Sequence, residues 1–199
     1  MSYAPERMAA DPFRILLISG STRSASTNTA ALRTAQVVAP LGVVATLYRQ
    51  MVELPHFNPD DDRGDDAVLG SEALHPVVAA LRREIASAHA VLFSTPEYAG
   101  ALPGSFKNLL DWTVGGDELY GKPGAWLNVS SSPTGAAQAH ASLATVLGYL
   151  NVDIVEAACA RIPVAHADVG PDGLIAAAAI REEIARVLWS LAQHISGQR

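Results

Sequence analysis

The sequence predicts an α/β fold, a mainly parallel sheet wound on both faces by helices, and three observations carry that prediction. Short continuous apolar runs alternate along the chain with stretches whose apolar residues recur every three or four positions. Of the 199 residues 49% are apolar, enough for a sizeable core. Cys159 is the lone cysteine, so the core must hold without a disulfide.

FRILLIS (13–19) is continuous and apolar, the pattern of a strand covered on both faces, and TNTAALRTAQVV (27–38) follows it with helical spacing. VVATLY (43–48) reads as the second strand and SEALHPVVAALRREIASA (71–88) as the helix after it. AVLFS (90–94) is the third strand, SFKNLLDWTV (105–114) a helix, GAWLNVSS (124–131) the fourth strand and AAQAHASLATVLGYL (136–150) a helix. VDIVEAA (152–158) is expected as the fifth strand. DGLIAAAAIREEIARVLWSLAQHI (172–195) closes the chain as an amphipathic helix with Asp172 as its N-cap. Such alternation implies right-handed crossovers. Without repeats or a low-complexity linker, residues 13–199 are expected to form one domain.

The net charge of −6 offers no basic footprint for nucleic acid, and no segment approaches the ~20 apolar residues that span a bilayer. MSYAPERMAADPFR lacks an apolar core of signal-peptide length, so residues 1–12 are expected to be a loose leader and the protein cytoplasmic. Cys159, in VEAACARI, is expected to be a packed, inert thiol. The six histidines are scattered without paired helical spacing, which speaks against a metal centre.

In such sheets ligands gather beyond the carboxyl ends of the strands, where the winding reverses. At the end of the first strand stands GSTRSASTN. A helix start carries unsatisfied N–H groups and partial positive charge, so it attracts anions. Ser21, Ser26 and Thr27 add hydroxyls, Asn28 an amide and Arg23 a planar cation. One helix cap needs one such residue, so this cluster reads as a phosphate site. After the third strand, STPEYAGALPGSFKNLLDW makes a turn-rich wall suited to a flat ring, with Tyr98 offering an aromatic edge or face. VSSSPTGAAQA supplies a third loop, with Ser130, Ser131 and Gly135 before a helix.

Rival motifs fail on detail. GDELYGKP has Walker spacing, but Pro123 replaces the Mg²⁺-holding hydroxyl and the segment precedes a strand. No G-x-G-x-x-G follows any strand. NPDDDRGDD misplaces Gly64 for a calcium loop, with Leu69 where the bidentate Glu would stand, and reads as a solvated acidic loop. Lys107 and Asp111 are expected to pair along a helix. Trp112 and Trp189 are expected as core or interface anchors. His56 and Phe57, in the long link from Tyr48 to Ser71, either cover a substrate pocket or pack on the surface.

These residues resemble the NADPH-dependent FMN reductase family of flavodoxin-like proteins, from Ile15 to about Ala139. GSTRSASTN matches the family's G-S-x-R-x-x-S-x-N loop, and TPEYAGALPGSFKNLLDW matches T-P-E-Y-N-x-x-x-P-x-x-L-K-N-x-x-D-W. ELPHFNPDDD resembles the family's loop over the flavin. The resemblance departs at Ala99, where the family has Asn, at Phe106, where it has an aliphatic residue, and after Ser132, where a double glycine is often found.

The resemblance implies a flavodoxin-like five-stranded sheet of order 2-1-3-4-5 in three α/β/α layers, with FMN across its carboxyl edge. Ser21, Arg23, Ser26, Thr27 and Asn28 would take the phosphate. Pro96, Glu97, Tyr98, Ala99 and Gly100 would run along the isoalloxazine, and Ser130, Ser131 and Gly135 would face its other side. It further implies NADPH or NADH as reductant, a diffusible small-molecule acceptor such as a quinone or free flavin, ping-pong order, no catalytic side chain, and a homodimer or dimer of dimers. The rival class is an electron carrier or redox sensor holding FMN without oxidising nicotinamide. A carrier would be more acidic around its flavin edge, and a cysteine-based sensor needs more than Cys159.

Overall fold

The computed structural model of the protein describes residues 11–62, 74–132 and 135–198. Its strands are β1 (Phe13–Ser19), β2 (Val43–Leu47), β3 (Ala90–Ser94), β4 (Pro123–Asn128), β5 (Asp153–Ile154) and β6 (Ala160–Arg161). Its helices are α1 (Thr27–Val37), α2 (Pro76–Ser87), α3 (Gly104–Asp111), α4 (Ala137–Tyr149) and α5 (Ala178–Gly197). The order β2-β1-β3-β4-β5, all parallel, is the one the resemblance implies, with β6 adding a second short pairing to β4.

Strand β1 shows why the fold needs two helical layers. Ile15 and Leu17 enter a core shared with α1 and α5, whereas Leu16 and Ile18 enter one shared with α2, α3 and α4. Successive side chains of a strand face opposite ways, so a continuous apolar run demands cover on both sides. The chain steps from β1 to β2 on one side and returns to β3 on the other. The carboxyl ends of β1 and β3 are therefore where the winding reverses, and Ser19 stands level with Ser94 in that register.

Two expected elements differ. The 152–158 run pairs only through Asp153 and Ile154, then curls into a 3₁₀ turn at Glu156–Ala158 before β6. Glu and Ala are poor strand formers, and the turn sinks Ala158 into the core beneath α5. The closing helix begins at Ala178 instead of 172, and Asp172 does not cap it. Pro171-Asp172-Gly173 makes a turn: the Asp172 carboxylate accepts the Leu174 N–H at 3.0 Å and Gly173 takes φ 77°. That local bond outcompetes the cap. The expected 71–88 helix starts at Pro76 among the described residues, capped by the His75 side chain, and 71–73 lie outside them.

The segment after β2 is fastened to α3. The Pro55 carbonyl accepts from Asn108 Nδ2 and Trp112 Nε1, both at 2.8 Å, and Asn108 Oδ1 accepts the Phe57 N–H at 2.7 Å. Phe57 meets Trp112 edge to face at 5.1 Å. Phe57 thus packs, and Trp112 is a core anchor; Trp189, half exposed, is not. Asp62 is not solvated as expected: it pairs with the buried Arg82 at 2.5 Å, and Arg82 also donates to the Trp112 carbonyl. Gly64 and Leu69 of that acidic stretch lie outside the described residues. Lys107 and Asp111 pair at 2.5 Å. Cys159 is partly buried, and burial pushes its thiol up to about 11. Among the described residues no helix is long and apolar enough to cross a membrane, and no three metal-ligating side chains gather.

Phe106 and Thr95 close over Gly20, whose N–H donates to the Ser94 carbonyl at 2.8 Å. A β-carbon at residue 20 would overlap Thr95 and crowd Phe106 at 2.8 Å. Gly20→Ala is therefore expected to destabilise the fold by about 1–3 kcal/mol through overpacking, read as a lower urea midpoint at unchanged slope.

Candidate functional site

The three loops line one cleft, and a single hydroxyl ties the elements behind it. Ser94, wholly buried at the end of β3, donates to Asn28 Oδ1 at 2.9 Å and lies 3.0 Å from the Leu127 carbonyl of β4. Asn28 sits in the first turn of α1, so the β1–α1 loop is tied to the strand ends beside it. With its oxygen engaged, Asn28 keeps its amide donor for another partner.

Ser26 caps α1, its hydroxyl accepting the Thr29 N–H at 3.3 Å. Ser19 and Thr29 share a hydroxyl–hydroxyl bond at 2.8 Å, the Ser21 N–H donates to Ser19 Oγ, and the Arg23 N–H donates to Ser21 Oγ. The turn is thereby fixed from inside. The backbone N–H groups of Ser24, Ala25, Thr27 and Asn28, however, find no acceptor among the described residues. Arg23 is exposed and makes no ion pair among them. Free N–H donors at a helix start, flanked by hydroxyls and a guanidinium, fit a phosphate.

The second wall is a tight hairpin. Tyr98 and Ala101 exchange both backbone bonds at 3.1 Å around Ala99 (φ 51°) and Gly100 (φ 73°). That turn favours Asn-Gly, so Ala99 sits where Asn would be relaxed. The Ala99 and Gly100 N–H groups lack acceptors among the described residues and can meet a ligand. Glu97 also braces this wall: its carboxylate accepts the N–H groups of Gln138 and Ala139 at 3.0 and 3.1 Å, capping α4. A negative charge there complements the helix dipole.

On the third wall Asn128 Oδ1 accepts the Ser130 N–H at 3.1 Å and Arg161 donates to the Ser132 carbonyl at 2.7 Å. Gly135 presses so close to Ser130 Oγ that no β-carbon would fit, and Ala136 turns the chain into α4 at φ 58°. Together the walls enclose a cleft of about 390 Å³, lined by Thr27, Asn28, Pro96, Glu97, Ser130, Ser131 and Gly135 from the expected set. Ser21 and Arg23 do not line it, Ser26 lines a neighbouring cleft, and Tyr98, Ala99 and Gly100 form the exposed hairpin tip. Neither His56 nor Phe57 lines this cleft.

Sequence reasoning missed Thr95, Val129, Ala136, Val164 and His166, which line it too. The first three lie within quoted segments. His166 follows β6, a carboxyl strand end that only the structure reveals.

Comparison with known proteins now bears on this geometry. The model of the NADPH-dependent FMN reductase family matches residues 13–167. The chain belongs to the NADPH-dependent FMN reductase family. An NAD(P)H-dependent FMN reductase of Pseudomonas aeruginosa is 35% identical over 144 residues, covering 71% of this chain and 73% of the relative. A quinone reductase of Escherichia coli K12 is 26% identical over 147 residues, covering 73% and 74%. Among solved structures, FerB, a flavoenzyme NAD(P)H:(acceptor) oxidoreductase from Paracoccus denitrificans, aligns with TM-score 0.69 and 25% identity over 92% of this chain and 98% of that one. Members of the FMN reductase family are oxidoreductases that work with FMN and a reduced nicotinamide. The free donors of Ser24, Ala25, Thr27 and Asn28 and the cleft beside them fit that cofactor.

His140, in the first turn of α4, places Nδ1 2.7 Å from the Ala136 carbonyl, while Nε2 is buried with no partner within hydrogen-bond geometry among the described residues. Burial lowers its pKa from the ordinary 6.5. The fold thus holds neutral imidazole. Its stabilising contribution is complete above the unfolded value and is lost as pH falls through the folded one, because the unfolded chain takes up the proton first. Urea titrations from pH 7 to pH 5 should show stability falling, and falling less in His140→Asn.

Proposed function

We propose that this chain binds FMN in the cleft between the 21–28, 95–100 and 130–136 loops and passes hydride from NAD(P)H to quinones, free flavin or similar diffusible acceptors. The observation that carries this reading is the set of unpartnered N–H groups at Ser24, Ala25, Thr27 and Asn28, at the edge where Ser94 ties β3 to α1 and β4. Bound FMN supplies a ring that accepts hydride from reduced nicotinamide and returns it to an acceptor.

The chain's part is to bind and orient. Arg23 and the hydroxyls of Ser21, Ser26 and Thr27 hold the phosphate with the free backbone donors. The rigid hairpin lays the Ala99 and Gly100 N–H groups along the ring, where fixed donors stabilise developing negative charge. Glu97 keeps the hairpin seated on α4, and Ser130, Ser131 and Gly135 shape the opposite wall. No side chain in the cleft is required as nucleophile or base. Both substrates use one open face in turn, which makes the kinetics ping-pong.

Assembly as a homodimer belongs to the same proposal. Val114, Tyr120 and Tyr149, exposed by 62%, 72% and 85%, line a groove of about 430 Å³ at the amino edge of the sheet. Light scattering at micromolar concentration should give twice the chain mass; a monomer contradicts this part.

Purified protein is expected to carry flavin absorbance and to consume NAD(P)H steadily with a quinone. Bound flavin without nicotinamide oxidation would return the electron-carrier reading. Arg23→Ala should weaken FMN in direct titration about tenfold to a hundredfold, the effect of ~1.5–3 kcal/mol from a charge-assisted contact. Unchanged titration would remove the phosphate assignment.

A further inference from the structure

Helix α4 enters the cleft wall on a residue that cannot cap it. Ala136 lines the cleft, turns the chain at φ 58° and offers no capping side chain. Two other side chains fasten the turn. Glu97 accepts the Gln138 and Ala139 N–H groups, and the His140 ring closes back on the same turn, its Nδ1 2.7 Å from the Ala136 carbonyl.

His140 is only 7% exposed and packs against Trp126 of β4, ring centroids 6.1 Å apart. A carbonyl can only accept, so Nδ1 carries the proton of the neutral ring. Nε2 is left with a bare lone pair, buried and without a partner in hydrogen-bond geometry among the described residues. One N–H therefore seats the whole ring.

A second proton would have to go to Nε2. It would place a charge in a buried position at the positive end of a helix, where burial and the dipole both oppose it. The Ala136 and Leu127 carbonyls and the Glu97 carboxylate, the charged side chain whose field reaches the ring, favour the charged form, and burial outweighs them. The Leu127 carbonyl is moreover engaged by the Ser94 hydroxyl at 3.0 Å. A charged ring is relieved by turning out to water, and in doing so it gives up the Ala136 carbonyl.

We propose that His140 is a positioning residue for the flavin wall: its neutral ring holds the Ala136 carbonyl, and with it the left-handed turn, against the cleft, so that seating FMN and protonating His140 compete. The proposal rests on the cleft being the flavin site and adds the group that makes its third wall answer to pH. His140 does not line the cleft and acts through Ala136, which does.

The test pairs an NMR titration of the imidazole, in flavin-free and FMN-loaded protein, with FMN binding measured from pH 7 to pH 5. In flavin-free protein the neutral ring should carry its proton on Nδ1, and the amide signals of Gly135 and Ala136 should move as the ring titrates. FMN should shift the half-protonation of His140 to lower pH, because coupled binding events hinder one another equally. A phosphate acting on the ring through charge alone would shift it to higher pH, and that result overturns the proposal. Wild-type affinity for FMN should fall on acidification more steeply than that of His140→Asn, whose amide reproduces the Nδ1–H donor without titrating. His140→Leu, which keeps bulk and loses the donor, should bind FMN about twofold to tenfold more weakly at pH 7. Parallel pH profiles for wild type and His140→Asn overturn the proposal and spare the flavin site. Failure of the wild type to take up FMN, with the Ala136 amide still following the ring, removes the flavin reading and keeps the seat of His140 on Ala136.

Discussion

The buried hydroxyl of Ser94 is the point on which the site's architecture turns. Parallel strands end in carbonyls and loops that would splay apart in water, yet here β3 reaches one way to Asn28 and the other way to the Leu127 carbonyl of β4. A buried polar group left unmatched costs about 1–3 kcal/mol, so the three groups constrain one another to a single arrangement. Because Asn28 is held by its oxygen, the start of α1 is held too, and the donors of Ser24, Ala25, Thr27 and Asn28 stay open. Gly20 completes the constraint: its lack of a side chain lets Phe106 and Thr95 pack directly beneath the turn.

Backbone strain gathers around the same edge. Ala99 and Ala136 both adopt left-handed conformations, at φ 51° and φ 58°, where a non-glycine residue costs roughly 1–2 kcal/mol. Both flank the cleft, and Ala99 falls where the family pattern has Asn, a residue at ease in that region. Neighbouring bonds hold them there: the paired Tyr98–Ala101 bridge for Ala99, and the cap from Glu97 onto α4 just beyond Ala136. The walls thus arrive preformed, and little ordering is left for a ligand to drive.

Much of this was legible in the amino acids. Alternating burial of Ile15, Leu16, Leu17 and Ile18 follows directly from a continuous apolar run, and the hydroxyl-rich turn after it advertises a helix start with more donors than a cap requires. What stayed hidden depends on contacts distant in the chain. Glu97 reads as part of a ring-binding motif, but its carboxylate finds Gln138 and Ala139, some forty positions away. Asp172 reads as a helix cap because an apolar periodicity follows it; the Pro-Asp-Gly turn wins since its bond forms within two residues. His166 had no periodic or motif signal at all, and only the curl after β5 brings it to the cleft.

That curl also decides how the sheet meets its surroundings. Through β5 and β6, β4 pairs with two residues at each end of the 3₁₀ turn, so this margin offers no long, straight row of bare amides to a passing chain. Short, interrupted borders resist edge-to-edge recruitment. The opposite margin, β2, is a five-residue strand with Val44 and Thr46 open to solvent. Any templated misassembly of partly unfolded chains would begin there, on the side away from α4.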